Sequence, residues 1–259
     1  MLYSISGEKM RHDNAYKNDS CLICGGEGEF YHEIAGYVID RCRVCGFAYV
    51  RDIPSDFELF QVYDQGYKTR EGLFAPKLRK SRKFKYWLLG RMIRLAAGRG
   101  KVRLLEIGCG QGSLLQAVSN DRHFDAEGID YAQGPVDYAR SLGLKASQSS
   151  LEQMQYAPES FDFIVAIHVI EHMQNLDTAI QEITRILKKG GQLYIVVPCL
   201  SHIKARLNGK RWKYLGPPEH LWYFTTQALR TFLEKRGFQI LFAHCISHRA
   251  HLRVLAKKI

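Results

Sequence analysis

The chain has 259 residues, 46% of them hydrophobic, enough for one full α/β domain and a small extra module. Its opening residues, Met-Leu-Tyr-Ser-Ile-Ser-Gly-Glu-Lys, lack the apolar core of a signal peptide, and its apolar runs, such as 163–170, are too short to span a bilayer. A cytoplasmic location is expected, so the seven cysteines call for an explanation other than disulfides.

The formal net charge of +11 is unevenly spread. Residues 76–103 carry 11 Lys and Arg and no acid, and residues 204–213 carry five more without an acid. The remaining chain holds 21 basic and 26 acidic residues, so two basic strips sit on an acidic-to-neutral body. Solvated faces would account for such strips. So would an anionic partner: the phosphate of a nucleotide-linked or lipid-linked molecule, RNA, or a membrane surface.

Residues 1–20 are polar and read as a loose N-terminus. Residues 21–50 contain Cys21-x-x-Cys24 and Cys42-x-x-Cys45, separated by 17 residues. This is the spacing of a four-cysteine zinc ribbon, in which each pair sits on a knuckle turn aiming two sulfurs at one ion. Gly25 and Gly46 follow the second cysteine of each pair, where a tight turn needs positive φ. Hairpin strands are expected over 29–33 and 37–41, turning at Ala35-Gly36. Four thiolates close the coordination sphere, so a single zinc per chain would be structural and would supply the folding energy of so small a fragment. A redox role for Cys-x-x-Cys would need a thioredoxin-like βαβ setting, which is missing. Cys109, Cys199 and Cys245 stand alone; Cys199 and Cys245 read as small buried side chains.

Residues 51–100 form a linker and a helix. The linker is marked by Phe57, Phe60, Tyr63, Tyr67 and Phe74. Over 77–97 the spacing predicts an amphipathic helix with Phe84, Leu88, Met92 and Leu95 on one face and Leu89, Ile93 and Ala96 beside it. Arg82, Lys83, Arg91 and Arg94 fall off that stripe, and Gly98 is a natural stop.

From 101 to 259 the pattern alternates strand and helix, which implies a parallel sheet. Strands are expected near 102–108, 124–130, 144–147, 161–168 and 191–197. Helices fall near 112–119, 134–142, 176–188 and 226–236, and two last strands near 238–245 and 250–257. The first strand, with Val102, Leu104, Leu105 and Ile107, runs into glycines at 108, 110 and 112. Asp130 follows 20 positions after Gly110 at the end of the second strand, placed to accept hydrogen bonds from ribose hydroxyls. A dinucleotide site would want G-x-G-x-x-G facing pyrophosphate. Here the spacing is G-x-G-x-G with Glu106 two residues ahead, and an acid there repels phosphate and suits a cationic ligand.

This turn resembles that of class I S-adenosylmethionine (SAM)-dependent methyltransferases. The likeness extends to Phe161-Asp162-Phe163-Ile164-Val165 with Glu171-His172, and to Arg185-Ile186-Leu187-Lys188-Lys189-Gly190-Gly191, so it covers residues 100–259. It implies a Rossmann-like α/β fold with a mostly parallel seven-stranded sheet ending in an antiparallel hairpin. It also implies a SAM site made by Glu106, Gly108, Cys109, Gly110, Gly112, Asp130, Tyr131, Ser150, Leu151 and His168. Ser149, Ser150 and Leu151 stand where many relatives place an acid near the adenine amino group.

His168-Val169-Ile170-Glu171-His172 also matches the H-x-x-E-H pattern of zinc proteases. That pattern needs both histidines on one helical face, whereas here it starts on an apolar strand. Gly216-Pro217-Pro218-Glu219-His220-Leu221 stiffens a loop that would present His220. His220, His172 and His168 are the candidate bases, with Tyr63 or Tyr67 as lid or base, because a histidine near neutral pKa suits deprotonation of an alcohol or enolisable carbon.

The cysteine pairs, Arg41-Cys42-Arg43-Val44-Cys45-Gly46-Phe47-Ala48-Tyr49 and Tyr63-x-x-x-Tyr67 together resemble bacterial methyltransferases with an N-terminal zinc module, including sugar-modifying enzymes and surface-glycan-associated relatives. The resemblance implies a small or lipid-linked anionic acceptor, such as a surface-glycan sugar or a nucleotide-sugar, with Trp212, Tyr214 and Trp222 available for stacking or core packing. Two other readings stay open. One is an RNA methyltransferase that binds backbone through ribbon and basic strips; no Asn-Pro-Pro-Tyr-like motif follows the fourth strand. The other is a protein that binds SAM without turnover.

Overall fold

The computed structural model describes residues 20–55, 58–59, 80–98, 100–151, 153–246 and 249–259. The expected loose N-terminus and the linker aromatics Phe57, Phe60, Tyr63, Tyr67 and Phe74 lie outside the described residues, as do the side chains of Arg82 and Lys83.

Two sheets organise the described chain. The smaller contains β1 (Gly28–Ile34), β2 (Tyr37–Cys42), β3 (Ala48–Val50) and β9 (Trp222–Tyr223), in that order and antiparallel throughout. The larger has seven strands in the order β10-β11-β8-β7-β4-β5-β6. Its members are β4 (Val102–Ile107), β5 (Phe124–Asp130), β6 (Ala146–Gln148), β7 (Phe161–Ile167), β8 (Leu187–Pro198), β10 (Phe238–Ile246) and β11 (His251–Lys258). The five strands from β8 to β6 run parallel, and β11 pairs antiparallel with both β8 and β10. This is the Rossmann-like α/β arrangement expected from the sequence, antiparallel edge included. The central strands β4 and β7 and the later part of β8 are almost wholly buried, as in sheets with helices on both faces.

Between the strands run α1 (Lys80–Ala97), α2 (Ser113–Val118), α3 (Gln133–Ser141), α4 (Leu176–Ile186), α5 (Ile203–Asn208) and α6 (Thr226–Glu234). In α4, Leu176, Ala179, Ile180, Ile183 and Ile186 recur at helical spacing and are all buried, and Asn175 caps the first turn through the Thr178 amide. α4 stops at Ile186, short of the expected 188, because residues 187–190 already extend as the start of a 12-residue β8.

The packing of α1 corrects the sequence reading. Leu89 and Ile93 are buried against Val102, Leu104, Leu114, Val118, Phe163 and Val165, whereas Phe84, Leu88, Met92 and Leu95 are exposed. Gly90 explains the choice of face. A Cβ there would meet Val118 at 2.9 Å, so the glycine lets α1 approach α2 closely on the Leu89–Ile93 side. No helix among the described residues is long and apolar enough to cross a membrane.

Several contacts join the small sheet to the rest of the chain. β3 pairs with β9, Thr225 at the start of α6 donates to the Cys45 carbonyl (3.1 Å), and Lys235 donates to the Ile23 carbonyl (2.8 Å). Phe47 is fully buried at this junction, its ring stacked on Trp222 (6.0 Å between centroids) and tilted against Phe224 (5.2 Å). Phe47→Ala is expected to cost about 3–5 kcal/mol of stability, the usual cost of emptying a buried aromatic site; equilibrium urea denaturation measures it.

Candidate functional site

The first half of the site is the turn after β4. Gly108, Gly110 and Gly112 all have positive φ (69°, 51° and 72°), which glycine alone adopts without strain. The first and third are also packing requirements. A Cβ on Gly108 would fall 2.3 Å from Val169, and one on Gly112 would fall 2.7 Å from Leu144. Gly110 differs: a Cβ there would meet nothing within 4 Å, so the turn is open at its centre.

Two carboxylates converge beneath this opening. Asp130, at the end of β5, accepts the Gly110 amide (2.8 Å) on one oxygen and the Ala132 amide (2.9 Å) on the other. Burial raises the Asp130 carboxyl above its usual range, and these amides oppose the rise. Glu106 is buried, and its Oε2 has no hydrogen-bond partner among the described residues. Burial, then the charge of Asp130, push its carboxyl well above the usual value. Burial likewise raises the Cys109 thiol, which packs against Gly128 under the turn. A buried carboxylate with an unpaired oxygen beside a second acid is an electrostatic sink for a cation. Tyr131 is exposed next to Asp130, Ser150 lies half-exposed after β6 with its amide bonded to Gln153, and Leu151 is buried.

The second half is a group of histidines around Glu171. His168 follows β7 with φ of 57°, and the 3-10 turn Ile170–His172 comes next. Glu171 is fully buried; one oxygen lies 3.2 Å from His168 Nδ1 and the other, Oε2, has no partner among the described residues. A carboxylate can only accept, so Nδ1 of His168 carries a hydrogen, and in the neutral ring the lone pair is on Nε2. Burial opposes ionisation of Glu171, but the His168 bond and the neighbouring His172 hold its carboxyl below the usual range. His172 Nδ1 donates to the Glu219 carbonyl (2.7 Å), His220 Nδ1 donates to the Tyr214 carbonyl (2.6 Å), and the two rings meet edge-on at 4.6 Å. The three histidines singled out from sequence are thus brought together.

His251 completes the group and was missed. It opens β11, pairs with Pro198 at the end of β8, and meets the His168 ring at 4.5 Å, while its Nε2 bonds the Tyr214 hydroxyl (2.6 Å). The expected strand at 250–257 contains it, but its pairing with β8 was not part of that expectation. Burial pushes His251 down to about 4, and His168, Lys85, Lys213 and Arg249 push the same way. Lys85 belongs to the first basic strip and Lys213 to the second, so one residue of each strip acts electrostatically on this histidine. Trp212 and Trp222 are buried, the latter bonded to the Met173 carbonyl, so neither is available for stacking on a ligand; Tyr214 is half-buried.

Cys21, Cys24, Cys42 and Cys45 lie with their sulfurs all within 4.8 Å of one another. Gly25 and Gly46 have φ of 73° and 69°, and their amides bond the Cys21 and Cys42 carbonyls, closing two equivalent turns. Such a set of sulfurs can surround one ion tetrahedrally. Cys199 and Cys245 depart from the expectation of separate buried thiols. They are joined to each other as a disulfide with Cα atoms 6.3 Å apart, because β11 brings the ends of β8 and β10 together.

The sequence profile of a methyltransferase-domain family matches residues 60–242. An O-methyltransferase of Aspergillus sclerotiorum is 30% identical over 115 residues, covering 41% of this chain and 43% of that protein. A ubiquinone biosynthesis O-methyltransferase of Pseudomonas aeruginosa is 31% identical over 106 residues, covering 38% and 45%. The matches therefore span less than half the length of these relatives. Among solved structures, a SAM-dependent methyltransferase from Thermotoga maritima superposes with a TM-score of 0.54 at 20% identity, over 78% of this chain and 100% of that one, a likeness of fold.

The raised carboxyl of Glu106 sets a sign for stability. Below about pH 4.5 the group is protonated folded or unfolded and costs nothing; as pH rises through its elevated folded value, ionisation in a buried setting erodes stability. Glu106→Gln is expected to raise the melting temperature of the ligand-free protein at pH 7, with the gain fading toward pH 4. Scanning calorimetry at both pH values checks this.

Proposed function

The chain belongs to this methyltransferase-domain family, and on that premise we propose that it transfers a methyl group from SAM to an oxygen of a small or lipid-linked anionic acceptor, such as a surface-glycan sugar or a nucleotide-sugar. The observation that carries the reading is the open Gly110 turn above Glu106 and Asp130. The unpaired Glu106 oxygen fits the ammonium of the methionine part, Asp130 fits the ribose hydroxyls, and the missing Cβ of Gly110 leaves room for close approach. Cys109, Tyr131, Ser150 and Leu151 would line the rest of that pocket, with His168 on the methionine side.

SAM supplies a methyl group already activated on a sulfonium, so the protein's work is to position the acceptor and take its proton. Among His220, His172 and His168, we give the proton-accepting role to His168. Its Nδ1 is fixed by Glu171, as in a base oriented by a buried carboxylate, and its side chain is about one-third exposed (34%). Lys85, Lys213 and Arg249, which gather near His251, would hold the acceptor's phosphate or other acid. Cys21, Cys24, Cys42 and Cys45 would hold one structural zinc, closed to substrate by its four thiolates.

Radiolabelled SAM incubated with a fractionated cell extract tests the reading. Label is expected in a nucleotide-sugar or glycolipid fraction, lost in Asp130→Ala and at least a hundredfold slower in His168→Gln. Label in nuclease-sensitive material would make the protein an RNA methyltransferase instead. Tight SAM binding with no labelled product would make it a SAM-binding protein without turnover.

The zinc is tested separately. Wild-type protein is expected to contain one zinc per chain by elemental analysis, and Cys24→Ser with Cys45→Ser to contain none at that site and to unfold at lower temperature. A fully folded, metal-free wild-type protein would refute the assignment.

A further inference from the structure

We propose that Glu171, His172 and His220 form a second metal site, open to substrate, that takes a first-row divalent cation through two imidazole nitrogens and one carboxylate oxygen. One ligand atom from each of the three lies within 4.8 Å of the other two. The site is distinct from the four cysteines in chemistry as well as place: two nitrogens and an oxygen against four sulfurs.

Three further observations point to an ion. First, Glu171 is fully buried and its Oε2 has no partner among the described residues, although its Oε1 is engaged by His168. An oxygen left in that state is costly, and a cation beside it removes the cost. Second, both histidines donate Nδ1–H to a backbone carbonyl, His172 to Glu219 and His220 to Tyr214. That arrangement assigns the lone pair to Nε2 and fixes each ring, as the outer partners of metal-bound imidazoles commonly do. Third, the ligands come from two segments that are bonded to each other. The Leu221 amide donates to the Glu171 carbonyl (2.8 Å), so the turn after β7 and the proline loop cannot drift apart without breaking that bond.

Three protein ligands leave at least one coordination position for a substrate oxygen, the pattern of catalytic and not structural sites. Val169, between His168 and Glu171, packs on Gly108, so the ion would sit beside the glycine turn. An acceptor hydroxyl bound at the open position would lose its proton to His168 more readily. Its oxygen then forms the O–C bond to the methyl carbon as the C–S bond breaks, the electron pair going to sulfur. The placing of the acceptor on the ion rests on the methyl-transfer reading; the ion site does not.

Mn2+ titrated into the full-length protein, with its cysteines loaded with zinc, gives a direct test, because manganese favours nitrogen and oxygen ligands and does not displace zinc from thiolates. Free Mn2+ is read by electron paramagnetic resonance. One Mn2+ per chain is expected, displaced by one added Zn2+, with affinity at least tenfold lower in Glu171→Gln and in His220→Gln and unchanged in the exposed control His244→Ala. His220 is only half-buried, so His220→Gln, checked for its fold by circular dichroism, keeps the test decisive if Glu171→Gln fails to fold. Absence of bound Mn2+ and of any zinc beyond the cysteine equivalent, or unchanged affinity in a folded His220→Gln, would overturn the site. The readout contains no SAM. A negative result leaves the methyl-transfer reading standing, and absent label transfer leaves the ion site standing.

Discussion

The contact between Gly108 and Val169 is the constraint on which the rest of the site depends. With no Cβ at 108, the Val169 side chain fills the space that any other residue would occupy. That places the turn after β7 directly against the turn after β4. The first carries Glu171 and the histidines, the second the open Gly110 position above Glu106 and Asp130. Two adjacent parallel strands thus deliver two chemically different loops into van der Waals contact at the carboxyl edge of the sheet, where ligands bind in folds of this kind.

The electrostatics of the two loops are opposed. On the β4–β5 side two acids gather under one turn: burial raises both carboxyls, and the charge of Asp130 raises Glu106 further. On the β8–β11 side, burial keeps the His251 imidazole neutral well into the acid range, and His168, Lys85, Lys213 and Arg249 act in the same direction. A cleft polarised in this way favours a cation at one wall and an anion at the other. It also gives the uneven charge of the sequence a place in the fold, since one residue from each basic strip acts on the same histidine.

Much of this was legible in the sequence, and the exceptions share a cause. The glycine spacing, Asp130, the alternating strands and the cysteine turns are local patterns, with partners set by the chain immediately around them. His251 needed the register of β11 against β8, which no local pattern carries. The face of α1 was misread because apolar residues surround most of the helix, and the deciding residue was a glycine, Gly90, with no side chain to count. The Cys199–Cys245 pairing and the two-residue β9 likewise depend on distant segments meeting. His168, His172 and His220 were found individually; that they share one buried carboxylate required the turn and the proline loop to be seen bonded together.

The placement of β9 has a further meaning for how the molecule is divided. Trp222 and Tyr223 come from the C-terminal half of the chain, yet they complete the sheet of the N-terminal half. The segment just before them carries His220, whose position is therefore inherited from a strand pairing made with another part of the protein. Cut away the first fifty residues and β9 becomes a bare edge, its amides and carbonyls open to whatever strand arrives next. The N-terminal hairpin is thus less an appendage than a mould, one against which a wall of the cleft is cast.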